Sequence, residues 1–291
     1  MSYYKLLGFE KEPFSTSPDP NFFYLSKEHD LALTNILIEL RLKRGLTAVL
    51  GDIGTGKTTL SRKLIYEMRQ RKDFMFYMLL YPYFTTETLF LTALMNQLGI
   101  SLEFNQYQMS DSDRMELIEK FLLEKAVHEG KTLTLIIDEA QKVTESTLET
   151  LRIFLNFETN EYKLLQVVML GQLELVPKIL NLENFYDRIS MKYVLNPFNF
   201  EDTRNMILFR VSQAGYISKQ PLFEDGAIEE ICRHTKGYPR RITMLCHKAL
   251  KQLILKKKHI VDQEMIRDLI DSESQILWQK EPSLLKKSYL S

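Results

Sequence analysis

Between Gly51 and Thr58 the chain reads Gly-Asp-Ile-Gly-Thr-Gly-Lys-Thr, and no other stretch restricts the fold so tightly. Leu46 to Leu50 before it is a short apolar run of the buried-strand kind, and Thr58 to Gln70 after it is competent to form a helix. Set between strand and helix, the pattern G-x-x-x-x-G-K-[ST] is a P-loop. Its glycines let the backbone turn so closely that several amides converge on phosphate oxygens. Lys57 supplies a point charge to the terminal phosphates, Thr58 offers a hydroxyl to magnesium, and the helix aims its positive end at the same anion. Gly51, Asp52, Ile53, Gly54, Thr55, Gly56, Lys57, Thr58 and Thr59 are therefore the expected nucleotide contacts.

A P-loop needs a parallel sheet, and the chain supplies one. Phe74 to Tyr81, Leu133 to Ile137 and Leu165 to Leu170 read as further strands, with Tyr193 to Leu195 as a short fifth. Helical spacing at Thr86 to Leu98, Met115 to His128 and Thr147 to Phe157 separates them. Strands alternating with helices predict a mostly parallel sheet covered on both faces. After Pro197 only helices are expected: Glu201 to Ala214, Asp225 to His234, Arg240 to Lys257 and Asp262 to Trp278. Upstream, Ser26 caps a helix that runs to Leu42 with Leu33, Ile36, Leu37 and Leu40 on one face. Phe9 to Leu25 is rich in proline and aromatics, which predicts an irregular strap packed on something larger. The expected organisation is a strap at 1–25, an α/β P-loop core at 26–199, a small all-helical domain at 200–272 and a tail at 273–291.

The strand Leu133 to Ile137 leads directly into Asp138 and Glu139. A carboxylate at the C-terminal end of a buried strand can join the magnesium shell, and the next one can polarise an attacking water. Asp138 with Thr58 is thus the expected metal pair, and Glu139 the expected general base. Charge that accumulates on the transferred phosphoryl group needs a further partner. Gln172, after the strand ending in Gly171, and Arg188, before the last strand, are the candidates; each is equally consistent with a surface polar residue.

Other features narrow the class. Lysine plus arginine (38) equals aspartate plus glutamate (38), so no global field steers the chain toward nucleic acid or anionic membrane. Basic clusters at Arg41, Lys43 and Arg44, at Arg69, Arg71 and Lys72, and at Lys256 to His259 read as solvated faces. Two cysteines exclude a disulfide framework, and Cys232, His234, Cys246 and His247 lack the spacing of a zinc site. With no secretory signal and no apolar run near the ~20 residues of a membrane helix, a cytoplasmic location without membrane insertion is expected.

With these residues in place, the chain resembles AAA+ ATPases of the ExeA (general secretion pathway protein A) type. The resemblance rests on Tyr3-Tyr4, Gly8-Phe9, Pro13-Phe14 and Pro18-Asp19-Pro20, then on the P-loop and Asp138-Glu139-Ala140-Gln141. It continues through Gly171-Gln172-Leu173-Glu174-Leu175, Arg188-Ile189 and Gly237-Tyr238-Pro239-Arg240-Arg241-Ile242. It implies an AAA+ core with a five-stranded parallel sheet and a helical lid, using ATP and Mg2+. It assigns Gln172 to the polar sensor, Arg188 to a finger acting in trans on a neighbour's nucleotide, and Arg240, or else Arg241, to the lid sensor. It further implies an adenine held between strap and lid, with Phe14 and Tyr24 as candidate contacts, and a homo-oligomeric ring or helical filament. Relatives of this type continue into a membrane helix and a peptidoglycan-binding domain; the chain departs from that pattern at Ser291, which puts a direct role in threading through the cell wall in doubt. Two functions follow from the resemblance: ATP-dependent assembly of a secretion or pilus-like partner complex, or, as in the related MuB and TnsC ATPases, polymerisation on duplex DNA to recruit a transposase.

Overall fold

The computed structural model describes residues 3–100, 109–218 and 220–280, with backbone alone for 274–280. In chain order the first elements are α1 (Tyr3–Leu6), α2 (Lys27–Leu42), β1 (Leu46–Gly51), α3 (Lys57–Met68), β2 (Phe74–Leu79), α4 (Glu87–Leu98) and α5 (Asp111–Leu123). There follow β3 (Thr132–Ile137), α6 (Glu145–Phe154), β4 (Leu165–Gly171), α7 (Leu175–Leu180), α8 (Glu183–Tyr186) and β5 (Ile189–Leu195). Four longer helices come last: α9 (Phe200–Gln213), α10 (Asp225–Thr235), α11 (Pro239–Leu255) and α12 (Gln263–Lys280). Contacts divide the chain into two units, Leu25–Asn196 and Met1–Tyr24 with Pro197–Ser291.

The first unit is the α/β core. Its five strands are all parallel, in the order β2-β3-β4-β1-β5. β1, β3 and β4 are buried along their whole length, so their sequences are apolar runs broken only by small or hydrogen-bonded polar residues. β5 lies at an edge and alternates instead: Ile189 and Leu195 are buried, while Ser190, Lys192 and Val194 are exposed. It begins at Ile189, four residues before the expected Tyr193, because an edge strand needs apolar residues on one face only. Side chains cap the helices that the sequence marks with Ser or Thr. Ser26, Thr86, Ser110 and Thr144 each accept a backbone N–H in the first turn of α2, α4, α5 and α6.

The second unit packs the N-terminal segment with α9 to α12. Phe9, Phe14 and Phe22 share one apolar core with Phe198, Ile207, Ile231, Leu250 and Met265. Arg210, 8% exposed, donates to the carbonyls of Phe22 and Ser15 and to the Thr243 hydroxyl. Burial pushes its guanidinium down to about 10, a cost accepted because three acceptors surround it. The aromatics of the segment therefore form part of the helical unit's core. Phe14 is 1% exposed and packs edge-on against Phe223, which leaves no ring face for an adenine and removes it as a candidate contact. Cys246 is likewise core, its thiol pushed up by burial, and His247 faces Tyr3 and Glu12. The sequence-based tail boundary at 273 falls inside α12, whose backbone continues to Lys280. Pro282 to Ser291 and the Trp278 side chain lie outside the described residues.

Candidate functional site

Every strand points its C-terminal end to the same edge of the sheet, where β1 runs into the P-loop and β3 into Asp138. Gly56 takes φ 102°, a backbone shape that a side chain disfavours, and α3 starts at the next residue without a side-chain cap. The first-turn amides of α3 are consequently available to an anion. The Lys57 ammonium donates to the carbonyls of Gly51 and Asp52, both at 2.7 Å. Burial pushes it below the ordinary lysine range, against the opposing pull of Glu139, Asp138 and Asp52.

The Thr58 hydroxyl donates to Asp138 Oδ2 at 2.7 Å, although 80 residues separate the two. β4 lies between their strands, so this meeting is a product of the strand order alone. Two hard oxygens within one hydrogen bond of each other, one of them a carboxylate 3% exposed, are a donor set that suits Mg2+ beside a phosphate. Asp138 Oδ1 accepts the Glu139 N–H at 2.9 Å, which leaves the Glu139 carboxylate as a separate group.

Of the remaining predicted residues, Gln172 comes to the same edge: its N–H lies 3.0 Å from the Gln141 side chain, one residue beyond β4. Arg188 does not. It directly precedes Ile189, which pairs with Leu46 at the start of β1, whereas the P-loop follows the end of β1. The five steps from Leu46 to Gly51, at about 3.3 Å each, put the arginine roughly 17 Å from its own P-loop, along the opposite edge. It is exposed and near Glu158, whose carboxyl is held low chiefly by Lys163 and secondarily by Arg188. Arg240 and Arg241 lie in the first turn of α11 in the helical unit, both exposed, with the Arg241 guanidinium over the Tyr238 ring. Tyr24 is in that unit too, its ring against Phe198 and its hydroxyl on Asp202.

Two residues in the core unit carry more than the sequence reading assigned them. His29 is 1% exposed; its Nε2 is 2.9 Å from the Thr55 carbonyl and its Nδ1 2.7 Å from the Ser26 hydroxyl. A carbonyl only accepts, so Nε2 holds the proton, and in the neutral ring Nδ1 accepts from Ser26. A P-loop that turns amides inward turns carbonyls outward, and His29 satisfies a buried one. The signal was present: His29 sits in the apolar stripe of α2 with Ala32, Leu33, Ile36 and Leu40, a place where a polar ring needs partners. His29→Leu is expected to cost about 1–3 kcal/mol and to lower Tm by several degrees in a thermal melt, with His29→Gln recovering much of the loss. A superimposable His29→Leu melt would show that these bonds carry no net stability. Gln141 is the other residue. Its Nε2 donates to Glu139 Oε2 at 2.6 Å and its Oε1 accepts the Gln172 N–H.

Comparison with known proteins agrees with this geometry. A family model described as an AAA domain matches residues 40–179. General secretion pathway protein A of Aeromonas hydrophila is 32% identical over 267 residues, covering 88% of this chain and 46% of that protein. The chain thus spans about half the length of that relative. Among solved structures, Cdc6p of Pyrobaculum aerophilum superposes with a TM-score of 0.64 at 18% identity, over 86% of this chain and 67% of that one. The RuvB Holliday junction branch migration motor of Thermotoga maritima gives 0.54 at 16%, over 82% and 68%. At such identities these two speak for the fold alone. No helix among the described residues is long and apolar enough to cross a membrane. Sheet order, P-loop and family match converge: the chain carries an AAA+ P-loop core and is similar along most of its length to General secretion pathway protein A.

Proposed function

We propose that this chain binds Mg-ATP at Gly51–Thr58, hydrolyses it, and couples that cycle to assembly with copies of itself and with a secretion-related partner. The observation that carries the reading is the 2.7 Å meeting of the Thr58 hydroxyl with Asp138 Oδ2 beside the buried Lys57 ammonium. The P-loop amides and Lys57 hold the phosphates, while Thr58 and Asp138 hold Mg2+, which when bound neutralises charge on the phosphates. Glu139 orients and deprotonates the water, and Gln172 reaches the terminal phosphate from the end of β4. Arg188 serves the neighbouring subunit's nucleotide. Arg240 is the lid residue in this reading, since Arg241 is engaged by Tyr238.

The secretion partner is inferred from the similarity to General secretion pathway protein A. Duplex DNA gains no comparable support. Arg44 and Arg71 are paired with Glu39 and Asp73, Lys256 and Lys258 with Asp268 and Asp262, and Lys43 and Arg69 lie over Tyr162 and Tyr66. Those four ion pairs lower the net charge each cluster would offer a phosphate backbone, while the rings leave the charges of Lys43 and Arg69 in place.

Phosphate release from Mg-ATP by the purified chain tests the reading. Wild type should release phosphate in a magnesium-dependent manner, EDTA should stop it, and Lys57→Ala should weaken nucleotide binding about tenfold or more, the scale of a lost charged contact. Wild-type release no faster than that of Lys57→Ala would sink it.

A further inference from the structure

Glu139 is held more firmly than a general base on a turn needs to be. Its backbone lies at φ 54°, ψ 37°, a left-handed conformation that a residue with a side chain rarely adopts without support. The Asp138 carboxylate accepts its N–H, and the Gln141 amide grips one carboxylate oxygen at 2.6 Å. That amide cannot be reversed: a carboxylate requires the NH2 end, and the Gln172 N–H requires the oxygen end. Gln141 is 8% exposed, so neither bond is readily exchanged for water.

The turn that carries Gln141 is fastened from the far side as well. Lys178, on α7, donates to the backbone carbonyls of Gln141 and Val143 at 2.7 and 3.1 Å. Gly171 closes the same junction. A Cβ there would lie 3.2 Å from Leu175 Cδ2 and 3.3 Å from both Ala140 Cβ and Gln141 N, so a side chain at 171 would press the end of β4 away from the turn by a few tenths of an ångström. The bond from Gln172 to Gln141 depends on that approach.

We propose that Gln141 is a positioning residue that links the Glu139 carboxylate to the backbone of Gln172, so that the base and the end of β4 move as one body. This rests on the ATPase reading above and adds the device that sets its base. With one oxygen of Glu139 anchored, the other has a fixed direction in which to receive a proton from water, and a displacement of Gln172 by the terminal phosphate is passed to the base through a single amide. A free glutamate would sample several rotamers and be correctly placed for a fraction of the time.

The test uses Gln141→Met, which keeps the volume and removes both bonds, together with Gln141→Asn, which keeps the amide but is one methylene too short to span them. Both should bind Mg-ATP within about threefold of wild type and lose about 10- to 100-fold in single-turnover hydrolysis, the scale of a hydrogen bond to a charged group. Adding Gln141→Met to Glu139→Gln should produce no further loss, because a residue that acts through the base has nothing left to position. A purely structural residue would lower affinity and rate together and add its effect to that of Glu139→Gln; either result overturns the proposal. So does a Gln141→Met rate equal to or above wild type, which would mean that the amide is idle or holds the base away. Absent wild-type turnover is a different outcome and counts against the ATPase reading itself. If Gln141→Met does not fold, Gln141→Asn decides by the same criteria.

Discussion

Glu139→Gln should bind Mg-ATP as wild type does and release phosphate about 10²- to 10⁴-fold more slowly, the usual contribution of a positioned general base. The two side chains have the same shape. The glutamine oxygen can still accept from Gln141 Nε2, and the backbone bond to Asp138 involves no side-chain atom of residue 139. What disappears is the negative charge that draws a proton from water. Thr58, Asp138 and Lys57 are left in place, so nucleotide affinity should be retained. Equilibrium binding of a fluorescent ATP analogue beside a phosphate-release assay measures both halves. A variant that turns over at the wild-type rate would remove Glu139 from the mechanism.

The second large effect belongs to Arg188. Because it lies at the sheet edge opposite its own P-loop, Arg188→Ala should not alter nucleotide binding by an isolated chain. Turnover should nonetheless fall about 10³-fold or more, as when an arginine finger is withdrawn. Mixing supplies the discriminating result. In an equal mixture with Lys57→Ala, a site formed by the intact P-loop of one variant and the intact arginine of the other arises at roughly a quarter of random head-to-tail contacts. Activity should therefore recover to about that fraction of wild type. A mixture as inactive as either variant alone would place Arg188 outside a shared site.

The sequence made the sheet and its phosphate edge legible because the central strands are buried on both sides and so read as unbroken apolar runs. β5 was seen only as Tyr193 to Leu195, since its edge position permits Ser190 and Lys192 to interrupt the pattern. α7 and α8, six and four residues long, are too short to show a helical period. The positions of Thr58, Asp138 and Glu139 at this edge were readable because each follows directly from a strand or the P-loop. The partners of Gln141 and His29 were not, because the contacts they make join segments 31 and 26 residues apart, and only packing brings those together. The N-terminal segment shows the limit in another way: its aromatics foretold that it would be packed, but the place it occupies depends on Arg210, 188 residues from the carbonyl it holds.

Parallel strands give the core two unlike edges, the P-loop at one and Arg188 at the other. A contact that brings one edge to the other is directional, so an assembly built from it has a front and a back. An open row of subunits then always ends in one P-loop that no neighbour completes, while a closed ring wastes none. If turnover needs that contact, as proposed, activity per chain should rise with protein concentration as rows lengthen, and growth should proceed differently from the two tips. Whatever partner docks on such an assembly can tell one end from the other.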